Sequence, residues 1–181
     1  MYGMVNKFIS TTVINRYGQK AWDEISQSLG DYESTFVEMQ PYDDEVTFGI
    51  VGAAVTHLNV EPAVFLQQMG EDWVKETAKG SYKDMYSLVS GGAFEFISNL
   101  NNMHQVISAQ LDELVPPSFL CQKSEDGSVT INYYSSRAGL EPFVEGLLKG
   151  VCNHFNEPAR ISTVSVKDDS TPFSTFKIHF E

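Results

Sequence analysis

The stretch that most constrains this chain is Val115-Pro116-Pro117, because the spacing of the apolar residues changes there. Two consecutive prolines lack the amide hydrogens a helix needs, and the residue before a proline is pushed out of helical geometry, so no helix crosses them. Upstream, apolar residues recur at helical spacing; downstream, they alternate as in strands.

Val5, Phe8, Ile9, Thr12, Val13 and Arg16 trace one helix, stopped by Gly18, and a second over 21–29 ends at Gly30. A third runs from an Asp43 cap to Leu58, with Asp44 and Glu45 at its positive end. Pro62 opens a fourth, in which Val64, Phe65, Gln68, Met69 and Trp73 share a face until Gly80. After Gly91-Gly92, the series Phe96, Leu100, His104, Ile107 and Leu111 predicts one long helix that ends before the prolines. Beyond them, runs at 119–122 and 129–134 bracket Glu125-Asp126-Gly127 as a hairpin, 139–155 is helical, and 159–166 and 173–180 form a second antiparallel pair. The expected fold class is α+β: a helical N-terminal lobe and a C-terminal four-stranded antiparallel sheet packed with helices.

At 181 residues and a formal net charge of -12, the chain lacks the basic footprint that nucleic acids or anionic membranes require. No stretch approaches the roughly 18 apolar residues of a membrane span, and the N-terminus does not read as a leader, so a cytoplasmic location is expected. Cys121 and Cys152 are too few and too far apart for a disulfide framework or a zinc knuckle. Cys121, near the start of the first expected strand, reads as a buried, inert thiol, with redox modification as the alternative.

Two places carry chemistry. His104 falls on the apolar stripe of its helix, where a histidine either bonds a carbonyl in the core or ligates a metal. Tyr133, Ser135 and Arg137 follow a strand pattern, and extended backbone would turn all three side chains to one side. Two hydroxyls and a guanidinium fork suit an anion with two acceptor groups, a carboxylate or a phosphate. His57, His154 and His179 have no metal-like spacing, the 43–45 acid triplet is explained by capping, and no P-loop, GxSxG, HExxH or CxxCH motif occurs.

Met1-Tyr2-Gly3-Met4-Val5-Asn6-Lys7, the Asn99-Leu100-Asn101-Asn102-Met103-His104 helix, Pro116-Pro117-Ser118-Phe119 and Tyr133-x-Ser135-x-Arg137 together resemble the H-NOX family, haem nitric oxide/oxygen binding domains that include the sensor domain of soluble guanylate cyclase. The resemblance runs through nearly the whole chain in the right order. It implies a single domain over 1–181, divided into a distal helical subdomain (1–60) and a proximal haem-binding α/β subdomain (61–181), with ferrous haem b between the lobes.

By that resemblance His104 is the proximal iron ligand, Tyr133, Ser135 and Arg137 hold the haem propionates, and Pro117 presses the porphyrin out of plane. Val5, Ile9, Leu100, Leu147, Phe143 and Trp73 are the implied haem-contacting residues. Phe143 stands where stable dioxygen binders of the family carry a donor tyrosine, so the implied pocket admits nitric oxide and carbon monoxide while offering dioxygen nothing; the Trp73 indole N–H is the remaining donor. The implied role is a non-enzymatic sensor that signals in trans, with a histidine kinase or a cyclic-di-GMP enzyme as the family precedent. Three alternatives stay open: a dioxygen-binding haem sensor; a metal-free carboxylate- or phosphate-binding module; and a haem peroxidase-like enzyme, which needs a distal histidine–arginine pair that the apolar candidates do not supply.

Overall fold

The computed structural model describes residues 1–30, 35–80, 82–111 and 113–181, and the chain forms two compact units, Met1–Phe65 and Leu66–Glu181.

The first unit contains α1 (Gly3–Tyr17), α2 (Gln19–Ser28) and α3 (Asp44–Leu58). Ile9, Val13, Ile25, Ile50 and Ala54 are fully buried, as the helical spacing of their sequence requires. A polar seam crosses this core, where the Thr47 hydroxyl donates to Asn6 Oδ1 at 2.6 Å. Asp43 occupies the N-cap of α3 as expected, but its side chain makes no capping bond; Asp44 and Glu45 lie in the first turn, where their charge still complements the helix dipole.

α4 (Pro62–Thr77) leads into the second unit. There follow α5 (Lys83–Ser87), which the sequence reading lacked, α6 (Ala93–Ser98), α7 (Leu100–Ser108), β1 (Ser118–Lys123), β2 (Val129–Tyr134), α8 (Glu141–His154), β3 (Ala159–Ser165) and β4 (Ser174–Phe180). The strands form one antiparallel sheet in the order β1-β2-β4-β3. Gly127, with φ +81°, closes the β1–β2 hairpin in the left-handed region that glycine enters at no steric cost. Phe119, Val129, Ile131, Tyr133, Phe176 and Ile178 turn one sheet face into a core shared with Phe96, Ile97, Val144, Leu148 and Val151. No single described helix is long and apolar enough to cross a membrane.

Two expectations are corrected here. The single long helix at 96–111 is two helices, parted at Asn99. The Asn101 side chain, two residues into the second of them, donates to Phe119 O (2.8 Å) and accepts from Phe119 N–H (2.9 Å); this bond fixes α7 against β1, and apolar spacing cannot reveal it. The extended run expected through Arg137 ends at Tyr134, with a bend at Ser136. Strand alternation therefore does not orient Ser135 and Arg137.

α4 and α8 touch backbone to backbone. A Cβ added at Gly70 would stand 2.2 Å from Phe143 O, and one at Gly146 would stand 2.0 Å from Gln67 O. Beside this contact the Gln67 amide donates to Glu145 at 2.6 Å, and Lys149 pairs with Glu71 at 3.0 Å.

Candidate functional site

His104 lies on α7, half-buried. Its Nδ1 is 3.0 Å from the carbonyl oxygen of Pro117. A carbonyl can only accept, so Nδ1 carries the proton and donates it. Burial lowers the His104 pKa, with the bond to Pro117 pulling the other way, so the ring is held neutral. In that tautomer the lone pair sits on Nε2, in the arrangement metal-ligating histidines use: one nitrogen tied to a carbonyl, the other left to coordinate. The rigid Pro116-Pro117 pair thus has a local task, since it aims a carbonyl at His104.

Phe119 lies beside the imidazole (ring centroids 6.2 Å apart), and Tyr133 packs on Phe119 at 5.4 Å. Tyr133 is buried. Burial raises its pKa, opposed by its bond to Ser135, while the charge of Glu141 also raises it; the phenol therefore keeps its proton. Ser135 Oγ accepts the Arg137 backbone N–H at 3.1 Å, and Arg137 Nη1 donates to Val115 O at 3.1 Å. So Tyr133, Ser135 and Arg137 do come together, but through hydrogen bonds in a loop and not through strand alternation. The loop also joins the residues just before the prolines, since Val115 belongs to the segment that leads to Pro117.

Elsewhere in the second unit, Trp73 of α4 and Phe143 of α8 meet edge to face, with centroids 6.4 Å apart and planes at 73°. Leu100 and Leu147 pack on the main core. In the first unit, Ile9 is fully buried and Val5 half-buried, both on α1. Cys121 is half-buried, and burial raises its pKa, with a bond to Ser98 lowering it; a thiol held protonated is a poor nucleophile.

Three residues of this region were missed from sequence. Asn101 stood inside the quoted 99–104 motif but had no assigned role. Lys167 sat in a run read only as a hairpin connection, yet its ammonium donates to both Ser135 O and Arg137 O, at 2.6 Å each. Glu141, read as helix, is buried and accepts the Ser174 hydroxyl at 2.8 Å; its acidic type at a helix start was the available signal.

Among the described residues no three His, Cys, Asp or Glu side chains converge as a metal site. A metal held by His104 would have to arrive with most of its coordination filled, as iron does in a porphyrin. The neutral imidazole and the donor-rich loop fit such a group, one serving the metal and the other its carboxylates.

The fold is that of the H-NOX proteins, haem-binding gas-sensor domains. The family model described as Haem-NO-binding matches residues 2–163, and the chain belongs to that family. It is 28% identical over 152 residues to soluble guanylate cyclase gcy-37 of Caenorhabditis elegans, covering 82% of this chain and 22% of that protein. It is 34% identical over 74 residues to guanylate cyclase soluble subunit beta-2 of Homo sapiens, covering 41% of this chain and 12% of the relative. The chain thus spans about a fifth or less of the length of these relatives. The fold matches an H-NOX protein from S. oneidensis, crystallised in the Fe(II) ligation state, with a TM-score of 0.90 at 19% identity, over 100% of this chain and 96% of that one.

Proposed function

We propose that this chain binds ferrous haem b through His104 Nε2 and grips the propionates with Tyr133, Ser135 and Arg137, and that it senses nitric oxide and carbon monoxide in preference to dioxygen. The observation that carries this reading is the 3.0 Å contact from His104 Nδ1 to Pro117 O, because it commits one nitrogen and prepares the other for iron. Haem, when bound, supplies an iron atom that takes a small gas; discrimination between gases falls to the side chains. Phe143 has no donor to offer a polar ligand, and its neighbours Trp73 and Leu147 are largely apolar.

Signalling follows from what holds His104. His104 Nδ1 is tied to Pro117 O and Asn101 holds α7 on Phe119, so any displacement of His104 would pass into the proline turn and β1. A signalling enzyme, a histidine kinase or a cyclic-di-GMP enzyme, would read that change. The cyclase activity named for the relatives belongs to those longer proteins.

An absorption spectrum of the ferrous protein recorded anaerobically, in air and with nitric oxide tests the reading. The expected result is a Soret band that ignores air and shifts with nitric oxide. A stable spectrum of a dioxygen adduct would make the protein a dioxygen sensor, and no Soret band after haem reconstitution would leave a metal-free anion-binding module. Phe143→Tyr is expected to strengthen dioxygen binding: one added hydroxyl donor is worth about 1.5 to 3 kcal/mol to a partly charged acceptor, so dioxygen affinity should rise roughly ten- to hundredfold. An air titration of the variant that matches wild type would remove Phe143 from gas selection.

A further inference from the structure

We infer that Lys167 is a positioning residue for the carboxylate cradle at 133–137, holding two of its peptide planes so that the loop presents its donors to an anion. This rests on reading Tyr133, Ser135 and Arg137 as the holders of carboxylates. The Lys167 side chain reaches from the β3–β4 connection, beyond the residues that the family model matches, and its ammonium draws the carbonyls of Ser135 and Arg137 to itself at 2.6 Å each.

In a trans peptide the carbonyl and the next N–H point in opposite directions, and no described peptide bond is cis. The N–H groups of Ser136 and Ala138 therefore point away from the ammonium, and neither donates to a backbone partner among the described residues. The N–H between them, that of Arg137, goes to Ser135 Oγ. The two outward amides flank one that is already bonded, each left to donate to an anion, and the side chain that turns them is itself cationic.

Lys167 is in turn well anchored. Its backbone N–H donates to Ser174 Oγ at 3.0 Å, and Ser174, fully buried, donates to Glu141 at 2.8 Å. Glu141 is a buried carboxylate whose charge reaches Tyr133. Glu141 thus adds negative charge near Tyr133, while the Lys167 ammonium places positive charge on the 135–137 carbonyls.

The test is the rate at which haem leaves the protein for a scavenging apoglobin, measured for wild type, Arg137→Ala, Lys167→Met and Lys167→Arg, each loaded with haem b or with haem b dimethyl ester. Lys167→Met should speed loss of haem b by about tenfold, the scale of one lost charge-assisted interaction, and should leave loss of the uncharged ester unchanged. Lys167→Arg should retain most of the wild-type rate. A variant that loses both haems equally fast would show a merely structural lysine, and unchanged loss of haem b would also overturn the inference. Arg137→Ala separates the two levels: if it does not speed loss of haem b, the cradle reading itself fails, whereas if it does and Lys167→Met does not, only the role of Lys167 fails. Should Lys167→Met not fold, Lys167→Gln, uncharged but still a donor, carries the same expectation at a smaller size.

Discussion

His104→Ala protein, reconstituted with haem, is expected to lose the spectrum of a histidine-ligated five-coordinate ferrous iron altogether, and millimolar imidazole in solution should restore it. The expectation is large because the proposed ligand stands alone: no cluster of His, Cys, Asp or Glu among the described residues stands ready to replace it. Rescue is expected because truncation leaves a hole of imidazole shape lined by Phe119 and Pro117 O, where a free imidazole can make the same bond through its N–H. Haem should still be retained in part through the 133–137 loop. A His104→Ala spectrum indistinguishable from wild type would transfer the ligand role to another residue.

Gly146→Ala should cost stability out of proportion to one methyl group. The new Cβ would lie 2.0 Å from Gln67 O and 2.8 Å from Gln67 C, and the obstacle is backbone, which cannot swing aside as a flexible side chain can. Separating α4 from α8 strains the Gln67–Glu145 and Glu71–Lys149 bonds beside the contact and opens the packing of Trp73 on Phe143. Overpacking of this kind costs about 1 to 3 kcal/mol or more, which for a domain of this size corresponds to a fall in Tm of roughly 2 to 12 °C. Gly52→Ala is the matched control, since a Cβ there meets nothing within 4 Å, and a change of Gly to Ala in an open helical position stabilises by about 0.5 to 1 kcal/mol. Equal melting temperatures for Gly146→Ala and wild type would contradict the close crossing of these helices.

These two residues also mark how far the sequence could be read. His104 stood out because a histidine on an apolar stripe breaks a pattern, and periodicity, proline breaks and the Glu125-Asp126-Gly127 turn placed most elements, all of them effects carried by neighbours in sequence. Gly146 did not stand out, because its reason is a helix about 75 residues away, at Gln67 and Gly70. Asn101 and Lys167 were illegible for the same cause: each is defined by a backbone partner distant in the chain, Phe119 for one and the 135–137 loop for the other. The Tyr133, Ser135 and Arg137 cluster was found through a strand argument that fails past Tyr134, yet the residue types were informative, because hydroxyls and a guanidinium bond one another's backbone and nearby carbonyls in a loop as readily as on a strand. Pro117 carried an implied role for its ring against a porphyrin. The structure adds a role for its carbonyl, which depends on backbone direction and is invisible in residue type.

The bond from Asn101 to Phe119 has a second consequence, for the company the protein keeps. β1 is an edge strand, and an edge with unpaired amides and carbonyls is a template on which another chain can add a strand. The side chain of Asn101 imitates one residue of that missing strand, taking both the N–H and the C=O of Phe119. The opposite edge, β3, is interrupted by an irregularity between Thr163 and Ser165, which spoils its register as a template. A sheet open at both ends is in this way made unreceptive to its own kind, and one of the two guards is a residue on the helix that carries the candidate iron ligand.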